Sequence, residues 1–160
     1  MKMIIIFVLL ISDFCFAGDY IKPINEEIKI TSNFCEFRDN HFHAGIDIKT
    51  SGANLPVYSI NDGYLYRLRQ NRGGFGRVVY IKHNDGTISV YAHLDRFSDK
   101  LEKIIDTEIK TYHKVWGHNL RFDENEIRII RGELIGYTGE SGSGPPHLHF
   151  ELREDEETPI

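Results

Sequence analysis

The sequence predicts a mainly β, antiparallel domain with one inserted amphipathic helix, and three observations predict it. Short apolar and aromatic runs recur at regular intervals: Val57 to Ile60, Gly63 to Leu68, Arg77 to Lys82 and Thr87 to Leu94. Between them stand Asn61-Asp62-Gly63, Asn71-Arg72-Gly73-Gly74 and Asn84-Asp85-Gly86, the turn chemistry of tight antiparallel connections. Between Asp95 and Asn125 the apolar period changes once, from two to steps of three and four, which marks a helix. A length of 160 residues suits one domain with one core.

The chain opens on Met1-Lys2-Met3, the apolar run Ile4 to Ile11, and Ser12-Asp13-Phe14-Cys15-Phe16-Ala17-Gly18. This is the charged, apolar and small-residue order of a secretory signal, with cleavage expected after Ala17. The unbroken apolar run falls far below the ~20 residues of a spanning helix. We therefore expect a signal peptide over 1–17, a single domain over 18–160, export to the periplasm or to the extracellular space or cell envelope, and no stable membrane insertion once the signal is removed. Cleavage removes Lys2 and Asp13, whose charges cancel, so the net charge of −5 persists and argues against a nucleic-acid partner. Only Cys35 remains, so the mature chain has no intrachain disulfide to form.

Ile28 to Phe37 mixes β-branched, aromatic and polar residues ahead of an Arg38-Asp39-Asn40 turn. In His43-Ala44-Gly45-Ile46-Asp47-Ile48, extended backbone puts His43 and Asp47 on one side and the isoleucines on the other. Alone, this spacing reads as a local surface pair. The loop Gly73-Gly74-Phe75-Gly76 is a hairpin connection and not a phosphate cradle, because no Gly-Lys-Ser/Thr follows it. In Val90-Tyr91-Ala92-His93-Leu94, simple alternation groups Val90, Ala92 and Leu94 on one face and Tyr91 with His93 on the other. His83, at the mouth of a turn, reads as structural.

Phe97, Leu101, Ile104, Ile105, Ile109 and Tyr112 recur at helical steps after Ser98, a candidate N-cap, which gives a helix near 98–113. Trp116, with His113 and His118 nearby, is assigned to packing this insert against the sheet. Strands resume at Glu126 to Ile130 and Glu133 to Tyr137, and a Gly/Ser loop over 138–144 leads to Pro145-Pro146-His147-Leu148-His149-Phe150-Glu151-Leu152. Here Leu148, Phe150 and Leu152 face a core, while His147, His149 and Glu151 face outward together.

Imidazole is the commonest metal ligand and a proton carrier near neutral pH. A catalytic zinc site needs three protein ligands and an open position. His43, Asp47 and one histidine of the 147/149 pair supply two nitrogens and a carboxylate. The other histidine and His93 are left to handle protons or to stabilise an oxyanion beside a metal-activated water. The His-Glu-x-x-His signature of helical zinc proteases is absent.

Three ordered segments carry a family resemblance: His43-x-x-x-Asp47, Tyr91-Ala92-His93-Leu94, and Gly144-Pro145-Pro146-His147-Leu148-His149-Phe150-Glu151. With the Gly74-Phe75-Gly76 loop and the Gly136 to Gly139 approach, the chain over about residues 30–153 resembles the M23 zinc metallopeptidases of the lysostaphin/LytM, β-lytic type. The resemblance implies an antiparallel LytM/lysostaphin-like sheet (duplicated hybrid motif) with a narrow groove, one Zn2+ per chain, and hydrolysis of peptide bonds in peptidoglycan stems or cross-bridges. It also implies that His43, Asp47 and His149 bind the metal while His147 and His93 assist catalysis. Some members of this fold family regulate cell-wall hydrolases without cutting, so a silent activator module and protein regulators stay open. Two departures stand out: Cys35 occupies a place where relatives often carry glycine, and the segment between His93 and His147 is long.

Overall fold

The computed structural model describes residues 20–160 apart from Ala53, Asn125 and Ser143; the expected signal peptide lies outside the described residues. The elements are β1 (Ile30–Ser32), β2 (Ile46–Lys49), β3 (Pro56–Tyr58), β4 (Gly63–Gln70), β5 (Arg77–His83), β6 (Ile88–Phe97), α1 (Asp99–Tyr112), β7 (His118–Arg121), β8 (Arg128–Ile129), β9 (Leu134–Thr138) and β10 (His147–Arg153). Every ladder is antiparallel. The main path runs β1-β2-β10-β6-β5-β4-β7, with β8 beside β4 and β9 bridging β6 and β3. This is the mostly antiparallel sheet with one helix that the spacing of short strands predicted. No helix among the described residues is long and apolar enough to cross a membrane.

Alternation divides the apolar residues between two faces. Ile48, Leu65, Leu68, Val79, Ile81, Tyr91, Leu94 and Leu148 are fully buried in the main core. Val78, Tyr80, Ile88, Val90 and Ala92 form a smaller cluster, with Tyr66 and Phe75 packed on it. The helix closes the main core with Leu101 and Ile105. Ser98 takes the N-cap position, but its hydroxyl makes no capping bond. Instead the Glu102 carboxylate reaches back to accept from the Phe97 backbone N–H at 2.9 Å, which satisfies the last donor of β6 at the strand-to-helix junction. Trp116 lies under the Arg77 guanidinium, 5.1 Å from its carbon to the ring centre, so the tryptophan ties the insert to β5.

Two expectations need correction. Tyr91 and Leu94 both enter the main core, whereas Val90 and Ala92 sit on the other face. The cause is a bulge: β6 takes three steps from Tyr91 to Leu94 while β5 takes two from Val79 to Arg77. The extra residue includes His93 in the left-handed region, φ 60°, and strict alternation fails at a bulge. Strand β7 was not anticipated, because His118-Asn119-Leu120-Arg121 has no apolar run; its pairing with β4 defines it.

Candidate metal centre

Strand β10 lies between β2 and β6, and this placement assembles the site. Its register sets His149 opposite Asp47 on one side and opposite Ala92 on the other. His43 arrives from the loop before β2, held by its N–H to the Glu36 carbonyl at 2.8 Å and by its carbonyl to the Cys35 N–H at 2.9 Å. Cys35 keeps φ 59°, the left-handed conformation glycine would adopt freely. The turn is therefore of the glycine type although a cysteine stands there. Its thiol is exposed and free, and it is not among the side chains grouped as a candidate metal set.

His43, Asp47 and His149 bring their ligand atoms to one point. His43 Nε2 lies 3.1 Å from Asp47 Oδ1 and 3.0 Å from His149 Nδ1, and His149 Nδ1 lies 2.9 Å from Asp47 Oδ1. The protons on the two rings follow from their outer partners. His43 Nδ1 is 2.8 Å from the Asn33 carbonyl oxygen, and His149 Nε2 is 2.7 Å from Glu151 Oε1. Both partners only accept, so those nitrogens carry the hydrogens and the inward nitrogens present lone pairs. Two imidazole lone pairs and a carboxylate oxygen thus crowd together with no proton between them, an arrangement that a cation relieves. Tetrahedral zinc with ligands near 2.0–2.2 Å separates its ligand atoms by about 3.3 Å. The observed triangle reaches that by opening a few tenths of an ångström, so the residues present fit the metal.

His147 Nε2 is 3.6 Å from Asp47 Oδ1, and its Nδ1–H donates to the Pro145 carbonyl at 2.7 Å. His93 faces His147 with ring centres 4.6 Å apart and lies 5.8 Å from the His149 ring. Its Nδ1–H donates to the Ser141 carbonyl at 2.8 Å. Phe75 stacks on His149 at 5.2 Å. All five sequence-predicted residues therefore meet in one groove of about 910 Å³. Burial lowers His93 to about 4, partly offset by its bond to Ser141, so its ring is neutral near pH 7.

Sequence reasoning overlooked several supporting residues. Glu151 was assigned only to the outward face, yet it is 1% exposed and bonded to His149; its place on the same strand face two residues beyond a candidate ligand was the available signal. Arg38 donates to Asp47 Oδ2 at 3.3 Å, and the Ser32 hydroxyl lies 3.1 Å from His43 Nδ1. His83 is structural as expected, bonding the Asp62 carbonyl and the Ser89 hydroxyl.

Residues 41–108 match the model of Peptidase family M23. The chain is 32% identical over 112 residues to the DD-carboxypeptidase/endopeptidase Mpg of Neisseria meningitidis, covering 69% of this chain and 20% of that protein. It is 28% identical over 109 residues to the murein hydrolase activator NlpD of Salmonella typhimurium, covering 68% and 22%. Among solved structures it resembles a zinc-containing peptidase from Vibrio cholerae, with TM-score 0.59, 26% identity, 86% of this chain and 37% of that one. The catalytic domain of lysostaphin from Staphylococcus simulans shares the fold, with TM-score 0.57, 21% identity and coverage of 83% and 87%. The chain spans about a fifth of the length of the first curated relatives it matches.

Proposed function

Because the chain belongs to peptidase family M23, we propose that it is an exported zinc-dependent endopeptidase that hydrolyses peptide bonds in peptidoglycan stems or cross-bridges within the cell envelope. One observation carries the reading: three proton-free ligand atoms converge in a groove whose wall also bears two further imidazoles. In it, His43 Nε2, Asp47 Oδ1 and His149 Nδ1 hold the metal. Zinc bound there supplies Lewis acidity toward a peptide carbonyl and lowers the pKa of a water to about 7.

The remaining steps belong to the chain. His147, with Nδ1–H tied to Pro145, offers Nε2 as the base that takes a proton from the attacking water. His93 faces the developing oxyanion. With Nδ1–H bound to Ser141 and a neutral ring, its Nε2 becomes a donor only after taking a proton itself. The two rings, in contact at 4.6 Å, are therefore suited to share the proton in transit to the leaving amine.

A catalytically silent activator module is the second reading, favoured by the similarity to NlpD of Salmonella typhimurium. Presence of all five positions supports the enzyme. Purified protein loaded with zinc and incubated with peptidoglycan is expected to release new amino groups, and a chelator is expected to stop that release. Zinc retained without cleavage would leave the activator reading standing.

A further inference from the structure

Glu151 is a carboxylate with no exposed side-chain surface, and it is held between two partners. Its Oε1 accepts from His149 Nε2–H at 2.7 Å, and its Oε2 accepts from Arg153 Nε at 2.5 Å. A buried charge is costly unless paired and hydrogen-bonded, and here both oxygens are engaged. Arg153 is itself anchored: it donates to the Glu156 carbonyl and lies over the Tyr80 ring, its guanidinium carbon 5.9 Å from the ring centre. Room for the carboxylate comes from Gly45, where a Cβ would stand 2.7 Å from the Glu151 Cγ and 2.2 Å from the Phe150 carbonyl oxygen.

We propose that Glu151 is a positioning residue that fixes His149 in the Nε2–H tautomer, turning the Nδ1 lone pair toward Asp47 and His43, and that Arg153 holds Glu151 in that role. The assignment rests on the metal-site reading above only for its effect on zinc. The geometry has a charge consequence as well. An anionic acceptor on Nε2–H makes Nδ1 a more basic ligand, whereas a neutral acceptor would fix the tautomer without that electron supply. Arg153 offsets the carboxylate, so the pair adds little net charge to a centre already carrying Asp47.

The test uses the full chain, zinc alone as the probe, and two variants. In metal-free protein at alkaline pH, imidazole 15N shifts are expected to report the Nε2–H form of His149 in the parent and to lose that preference in Glu151→Gln, whose single amide oxygen is claimed by the Arg153 Nε–H so that its NH2 faces His149 Nε2. Glu151→Ala is expected to lose that preference as well. Zinc Kd, measured by competition with a chelator, is expected to rise roughly tenfold to hundredfold in Glu151→Gln, and at least as much in Glu151→Ala. Unchanged zinc Kd in Glu151→Gln overturns the proposal, even if its metal-free melting temperature falls, since that is the pattern of a merely structural carboxylate. A persistent Nε2–H tautomer in Glu151→Ala overturns it too. If the parent binds no zinc, the metal reading fails, and the metal-free spectra alone decide whether Glu151 sets the tautomer.

Discussion

His93 holds a left-handed backbone conformation, φ 60°, which costs a residue with a β-carbon about 1–2 kcal/mol. The cost is met by the loops on either side: the His93 N–H donates to the Phe75 carbonyl at 3.0 Å, and the ring donates to the Ser141 carbonyl. Strain at a site residue turns the ring toward His147 and away from the core. Division of labour among the five residues is open to direct test. Asp47→Ala and His149→Ala are expected to lose zinc and activity together. His147→Ala and His93→Ala are expected to retain most zinc while turnover falls by about 10²–10⁴-fold, the usual worth of a positioned acid or base; metal analysis beside peptidoglycan release checks both. The pairing of His147 with His149 was legible because period-two spacing fixes a face, whereas His43 reaches Asp47 from the loop before β2, which that spacing does not govern. The facing of Tyr91 and Leu94 was not legible, since one extra residue in a strand leaves no mark on composition.

Two glycine-rich loops are locked together at the element scale. Gly73 and Gly142 form a parallel bridge between the β4–β5 loop and the loop before β10. A Cβ on Gly142 would stand 2.2 Å from the Gly74 carbonyl oxygen and 2.5 Å from the Gly76 nitrogen, and φ there is 93°. Between them sits Ser141, whose hydroxyl accepts from the Arg77 N–H at 2.9 Å and donates to the Leu94 carbonyl at 2.6 Å. The same residue's carbonyl receives the His93 proton. Gly142→Ala is therefore expected to destabilise the fold by at least about 1 kcal/mol and to lower turnover with zinc retained, as urea unfolding and metal analysis would register. Both loops were recognisable from their glycines, but their contact joins distant parts of the chain, which local turn chemistry does not encode. The helix was legible within a residue at either end, since Leu101 and Ile105 recur at its period and both are buried.

Across the whole molecule, the C-terminal segment is tied to the far side of the sheet. Glu156 accepts from Arg121 through both oxygens at 2.5 and 2.7 Å, from Arg67 at 2.6 Å and from the Tyr66 hydroxyl at 3.0 Å. The Arg121 hydrogen bonds, with Tyr66 and Arg67 assisting, hold its carboxyl at about 2 against an ordinary 4.5. A depressed carboxyl stabilises the fold above its unfolded value and loses that contribution as pH falls through the folded one. Glu156→Gln is thus expected to lower stability at neutral pH by about 1 kcal/mol or less, as suits a solvent-facing pair. In unfolding curves, the gap from the parent should narrow below pH 4.5 and close near pH 2. The antiparallel class followed from strand spacing and turn chemistry, whereas the order of strands did not, because β10 comes to lie between β2 and β6, which are far from it in sequence. That central place has an all-or-none quality. Along β10, residues 147, 149 and 151 carry the polar chemistry, and residues 148, 150 and 152 pack on the main core. Slipping by a single residue against either neighbour would exchange the two sets wholesale, leaving imidazoles in oil and leucines in the groove. A slip therefore forfeits core and groove together, so the burial that fixes the register of β10 is the same burial that aims its imidazoles.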